Sequence, residues 1–83
     1  MKTYKALVSV MPRPEILDPQ GKAVENAMNQ LSSLRVDEVR IGKRIEFQIE
    51  APDREAAEER VTELAKGLLA NLIMEDYRIE LTP

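Results

Sequence analysis

Apolar and polar side chains alternate from Tyr4 to Met11. Tyr4, Ala6, Val8 and Val10 share one face, and Lys5, Leu7, Ser9 and Met11 the other, which is the period of a strand. Pro12 and Pro14 end it, and the stretch to Leu17 is a connector. Asp18-Pro19 predicts a helix start, because Asp caps free N–H groups and Pro suits the first helical position. Val24, Ala27, Met28, Leu31 and Leu34 follow at helical spacing as one apolar stripe. A second β segment carries Val39 and Ile41, and a third carries Ile45, Phe47 and Ile49.

The join at Gly42-Lys43-Arg44 is decided by parity. A two-residue turn would set Ile41 opposite Arg44, whereas pairing Ile41 with Ile45 keeps the apolar residues on one face and puts Arg40 across from Glu46. That register is expected here, with a bulge or a longer excursion still open because Gly leads the loop. Asp53 caps a second helix whose apolar positions are Ala57, Val61, Leu64, Ala65 and Leu68. Asn71 stops it, and Tyr77, Ile79 and Leu81 alternate as a last strand. The order βαββαβ predicts a single α+β domain over residues 1–83. It is a two-layer sandwich of ferredoxin-like type, an antiparallel sheet with two helices on one face.

Composition narrows what such a domain does. The 83 residues include no Cys and no His. Disulfides, zinc sites, Cys–His pairs and Ser–His–Asp triads therefore cannot be built from this chain alone. A chain of this size buries only roughly 60–65 % of its unfolded surface, so self-association is expected to supplement a marginal core. The net charge of −3 gives no electrostatic reason to bind nucleic acid or an anionic membrane. No apolar run approaches the ~20 residues of a membrane span, and Met1-Lys2 leads into mixed polar sequence rather than a signal-type region. A cytoplasmic chain that is not a stand-alone enzyme is expected.

Two constellations remain as candidate surfaces. Asp18-Pro19-Gln20-Gly21 reads first as a capped helix start, but that does not explain Gly21, which costs ~1 kcal/mol against Ala inside a helix. A Gly there lets another backbone, or an anion beside Lys22, approach the first-turn N–H groups. Arg40, Lys43 and Arg44 place three cations around the expected hairpin. They read either as a solvated edge that discourages strand addition or as a contact for an acidic partner. The adjacent carboxylates Asp37-Glu38, Glu58-Glu59 and Glu75-Asp76 point to different faces and make no acid/base pair. Leu7 and Met11 fall on the sheet face away from the helices, among charged residues.

Three stretches in order resemble the PurS family, small subunits of phosphoribosylformylglycinamidine synthase. They are Leu17-Asp18-Pro19-Gln20-Gly21-Lys22-Ala23-Val24, then Val39-Arg40-Ile41-Gly42-Lys43, then Leu68-Leu69-Ala70-Asn71 through Glu75-Asp76-Tyr77. Leu72 stands where the pattern usually has Pro, and Ser33 where it often has Gly, which bears on loop shape. The resemblance implies an accessory subunit of a glutamine-dependent, ATP-using ligase of purine biosynthesis. It implies a chain without catalytic, cofactor or metal residues, the ATP and Mg being used by a large synthase subunit. It implies partners as well: a second copy of itself, in a dimer or tetramer, the large synthase subunit, and a glutaminase subunit whose ammonia it helps to pass on. The candidate interface is Asp18, Pro19, Gln20, Gly21, Arg40, Gly42 and Lys43. The alternative reading is a ferredoxin-like metabolite-binding regulatory module with its pocket at a subunit interface.

Overall fold

The first alternating segment becomes the middle of a sheet. A computed structural model, which describes every residue except 32 and 34, places β1 (Lys2–Pro12) between β2 (Lys43–Ala51) and β3 (Glu75–Thr82), both antiparallel to it. The register joins the apolar faces as their parity requires: Ala6 lies between Phe47 and Leu81, and Val8 between Ile45 and Ile79. Tyr4, Ala6, Val8 and Val10 are buried, while Ile45, Phe47 and Ile49 are half-buried beside them.

One helix covers that face. Asp53 caps the second helix, α2 (Arg54–Leu64), by accepting the Ala56 N–H at 2.8 Å. Ala57, Val61 and Ala65 on its inner side are fully buried. The helix then widens into one π-type turn over Ala65–Leu69, closed where the Ala70 N–H donates to the Ala65 carbonyl at 2.9 Å. At its end Leu69, not the expected Leu68, returns to the core; Leu68 is 75 % exposed. Asn71 ends the helix as expected, its carbonyl accepting from Met74 and Glu75.

The preceding helix, α1 (Pro19–Leu31), behaves differently. Its one buried residue is Gly21, and none of its side chains joins the core. Met28 and Leu31 of the expected stripe are 43 % and 89 % exposed, and Leu17 just before it is 83 % exposed. Leu34 lies outside the described residues. The chain is accordingly long and thin, 51 × 26 × 13 Å, with a radius of gyration of 16.3 Å where about 12 Å is usual for this length.

The antiparallel α+β architecture is the expected one, with a correction to the second β segment. Residues 35–42 form no strand, so the order is β-α-β-α-β, and within one chain only α2 lies on the sheet. The pairing of Ile41 with Ile45 is therefore absent. Ile45 faces Val8 instead, and Glu46, expected opposite Arg40, lies beside Leu7 and bonds Arg44 at 3.0 Å. The cause is that backbone N–H groups of the 35–42 segment are taken by side chains of the α1 region, which leaves no ladder for β2 to join.

Candidate functional site

The start of α1 and the segment returning to β2 are tied together through side chains. Asp18 is the hinge of this arrangement. Its Oδ1 accepts the Gly21 N–H at 3.0 Å, as an N-cap does, and its Oδ2 accepts the Ile41 N–H at 2.8 Å. About two turns further on, Glu25 accepts the Val39 N–H at 3.1 Å and lies 3.4 Å from the Lys22 ammonium. Asn29 closes the row by bonding both backbone groups of Val36, its Oδ1 accepting at 2.8 Å and its Nδ2 donating at 3.1 Å. The return segment thus runs antiparallel to α1, its amides at 36, 39 and 41 bonded by residues 29, 25 and 18.

Gly21 is required by this closeness. A Cβ there would overlap the Val39 carbonyl and the Asp18 carboxylate. Of the two occupants the sequence allowed, it is another backbone that approaches. An anion is excluded at this point, since the Gly21 N–H already serves Asp18 and the cleft lining adds Glu25, Asp37 and Glu38 against only Lys22 and Arg40. Gly42 has the same role at the other end, where a Cβ would overlap the Val10 carbonyl and the Met11 sulfur.

The electrostatics follow the hydrogen bonds. The Gly21 N–H, then the Ile41 N–H, with the Arg40 charge nearby, hold the Asp18 carboxyl below its ordinary value. The Val39 N–H, then Lys22, do the same for Glu25. Both groups are therefore ionised acceptors near neutrality, with no proton to give and their oxygens already engaged. Among the described residues no cluster of three acidic side chains is placed to hold a metal ion.

Of the seven candidate residues, Asp18, Gly21 and Arg40 come together. Arg40 is half-buried, and its Nη2 is enclosed without a hydrogen-bond partner among the described residues. Pro19 and Gln20 are exposed on the first turn of α1, and Gly42 and Lys43 are exposed at the entry to β2. The three cations do not form one basic edge: the Lys43 ammonium reaches the Leu69 carbonyl at 3.4 Å, and Arg44 pairs with Glu46. Glu25 and Asn29 were not among the candidates. Their signal was present as polar residues at 18, 22, 25 and 29, a second helical stripe beside the apolar one.

A family model described as PurS, phosphoribosylformylglycinamidine (FGAM) synthase, matches residues 5–83. The chain belongs to the PurS family. It is similar to the synthase subunit PurS of Bacillus subtilis, with 44 % identity over 93 % of this chain and 90 % of that one. The Synechocystis PurS subunit is 41 % identical over 96 % of this chain and 80 % of its own length. Among solved structures, a chain of the PurLQS structure from Thermotoga maritima superposes with a TM-score of 0.91 at 30 % identity, covering 99 % of this chain and 100 % of that one. Crystalline PurS from Bacillus subtilis superposes at 0.83 with 42 % identity, covering 96 % and 99 %.

Proposed function

We propose that this chain is the small, non-catalytic subunit of phosphoribosylformylglycinamidine synthase in de novo purine biosynthesis. It bridges a glutaminase subunit and a large ATP-dependent synthase subunit and assists the passage of ammonia between them. Formylglycinamide ribonucleotide, ATP and glutamine then yield the amidine, ADP, phosphate and glutamate. ATP and Mg act in the large subunit, and this chain brings no cofactor, metal or catalytic group. The assembly works in the cytoplasm, with neither nucleic acid nor membrane as a partner.

The observation that carries this reading is the end-to-end likeness to the PurS-type chain within the solved PurLQS structure. The chemistry of the chain agrees with an accessory role. It has no His or Cys, and its two perturbed carboxylates are occupied as backbone acceptors. Self-association is supported by two uncovered apolar surfaces of one molecule, the stripe of α1 and the half-buried β2 row beside α2. Pro19, Gln20, Gly42 and Lys43 are the exposed positions that can meet a partner subunit. Asp18, Gly21 and Arg40 shape that surface from behind.

The deciding experiment reconstitutes the glutaminase and the ATP-dependent subunit with and without this chain, supplying nitrogen as glutamine or as an ammonium salt. Turnover with glutamine collapses when the chain is omitted, and turnover with ammonium is retained. Equal losses with both nitrogen sources would overturn the bridging and ammonia-delivery role.

A further inference from the structure

β3 forms one side of the sheet, and its outer edge is open. The phase of the ladder follows from one bond: just beyond the Pro12–Glu75 pair, the Arg13 N–H donates to the Met74 carbonyl at 2.8 Å. Bonded and unbonded pairs alternate in an antiparallel ladder, so Met11–Asp76, Ser9–Arg78 and Leu7–Glu80 carry the bonds to β1. Tyr77, Ile79 and Leu81 therefore turn their N–H and C=O groups outward. The row has closed ends. Asn71 takes the Glu75 N–H at 2.7 Å before it, and Arg54 covers the Leu81 carbonyl at 3.1 Å. Among the described residues nothing bonds the N–H groups of Tyr77, Ile79 and Leu81, or the carbonyls of Tyr77 and Ile79.

A cleft of about 610 Å³ runs along this edge, with Arg54, Glu58 and Thr62 of α2 on one side and Ile79 and Leu81 on the other. Its α2 side is acidic. Glu58 and Thr62 also line an adjoining cleft that adds Glu55, Glu59 and Glu63, all exposed. Arg54 is engaged by Glu58 and the Leu81 carbonyl, Arg60 reaches the Glu50 carbonyl of β2, and Lys66 lines neither cleft. Open backbone groups in a row are matched by another strand, and the charge of the wall selects its side chains. Successive residues of an added strand point to opposite faces, so every second one stands on the α2 side. A Lys or Arg there meets carboxylates. A second copy of this chain does not fit, because pairing β3 with β3 about a two-fold axis sets two acidic helices side by side.

We propose that the open edge of β3 binds an extended segment of another polypeptide, with Lys or Arg at alternate positions, as a fourth strand of the sheet. Backbone bonds to Tyr77, Ile79 and Leu81 hold the segment, and Glu58 with Glu59 selects its charge. Because those carboxylates are exposed until the segment arrives, binding weakens as salt rises. The site lies apart from the α1 surface and takes no residue from it.

The probe is a short synthetic peptide of alternating Lys and Thr, blocked at both ends, added to the full chain at low salt and followed by amide-resolved NMR. The amide signals of Tyr77, Ile79 and Leu81 are expected to shift, and their hydrogen exchange to slow. Glu58→Gln/Glu59→Gln should weaken binding roughly fivefold, the size of two exposed ion pairs. The backbone is tested separately, with the same peptide N-methylated at its Lys residues or at its Thr residues. One set faces β3 and the other faces solvent, so one methylated peptide should lose binding and the other keep it. This arm needs no protein variant and stays decisive if the double variant fails to fold. Unchanged exchange at the three amides, equal binding by the two methylated peptides, or equal binding by a peptide of alternating Glu and Thr would overturn the proposal. Protection of the three amides before any peptide is added would overturn it as well, since the edge would already be covered.

Discussion

Asp18 serves two segments at once, and most of the consequences at the scale of single residues come from that. Its bond to Gly21 is a local cap, but its bond to Ile41 spans 23 residues and fixes how closely the return segment approaches α1. Gly21→Ala puts a methyl group where the Val39 carbonyl and the Asp18 carboxylate already lie. A cost of about 1–3 kcal/mol is expected, as for other overpacked sites, against the small gain that Ala brings to an ordinary helix position. Urea unfolding measures it, and a stabilised variant would contradict the close approach. The carboxylates give a pH dependence of definite sign. Asp18 and Glu25 are held below their ordinary values of 3.8 and 4.5, so the unfolded chain takes up protons first as the pH falls. Their stabilising contribution is full above the ordinary carboxylate range and is lost as the pH falls through the depressed values. The gap in melting temperature between the unchanged chain and Asp18→Asn/Glu25→Gln should therefore be widest near neutrality and close in acid. A gap constant down to pH ~2, below both ordinary values, would separate the carboxylates from this role.

At the scale of elements, what was legible in the sequence depends on how far each interaction reaches. β1, β2, β3 and α2 follow from periodicity because a half-buried strand or helix advertises its buried face. The apolar stripe of α1 is equally clear, yet periodicity states only that a face needs covering, not which molecule covers it. The segment 35–42 misled for a related reason. Val39 and Ile41 alternate like a strand, but the partners of their amides, Glu25 and Asp18, sit 14 and 23 residues away on a helix, and no local pattern records that choice. The candidate residues fared likewise: Asp18 and Gly21 declared themselves through cap chemistry, whereas Asn29 showed only as a member of the polar stripe, which does not name Val36 as its partner. Phe47 illustrates the energetic side. Its parity with Ile45 and Ile49 holds, but with α1 off the sheet the ring is half-buried, so Phe47→Ala should cost less than the ~3–5 kcal/mol of a fully enclosed Phe. Denaturant titration at a dilution that separates the copies checks this. A full-size loss there would mean that the single chain encloses the ring by itself.

The whole molecule has the dimensions of something unfinished, 51 Å long with a helix whose Met28 and Leu31 stand exposed. Sedimentation equilibrium is expected to give a multiple of the 9.4 kDa chain mass. Leu17→Glu/Leu31→Glu should lower that multiple while leaving the melting of the sheet nearly unchanged, since neither side chain touches the core. A mass unaffected by both substitutions would release α1 from any part in assembly. The position of β1 in the sheet has a further consequence, which concerns the order in which the chain is made. β1 is made before either strand it pairs with: β2 follows more than thirty residues later, and β3 ends with Thr82 opposite Lys5. Both of its edges stay unpaired until β2 is made, and one until β3 is, with Ala6, Val8 and Val10 uncovered meanwhile. Meanwhile the bonds from Asp18, Glu25 and Asn29 span only 7–23 residues and close soon after residue 41 appears. The arm is complete while the core still waits for its last strand, so the nascent chain is most open to sticking along β1.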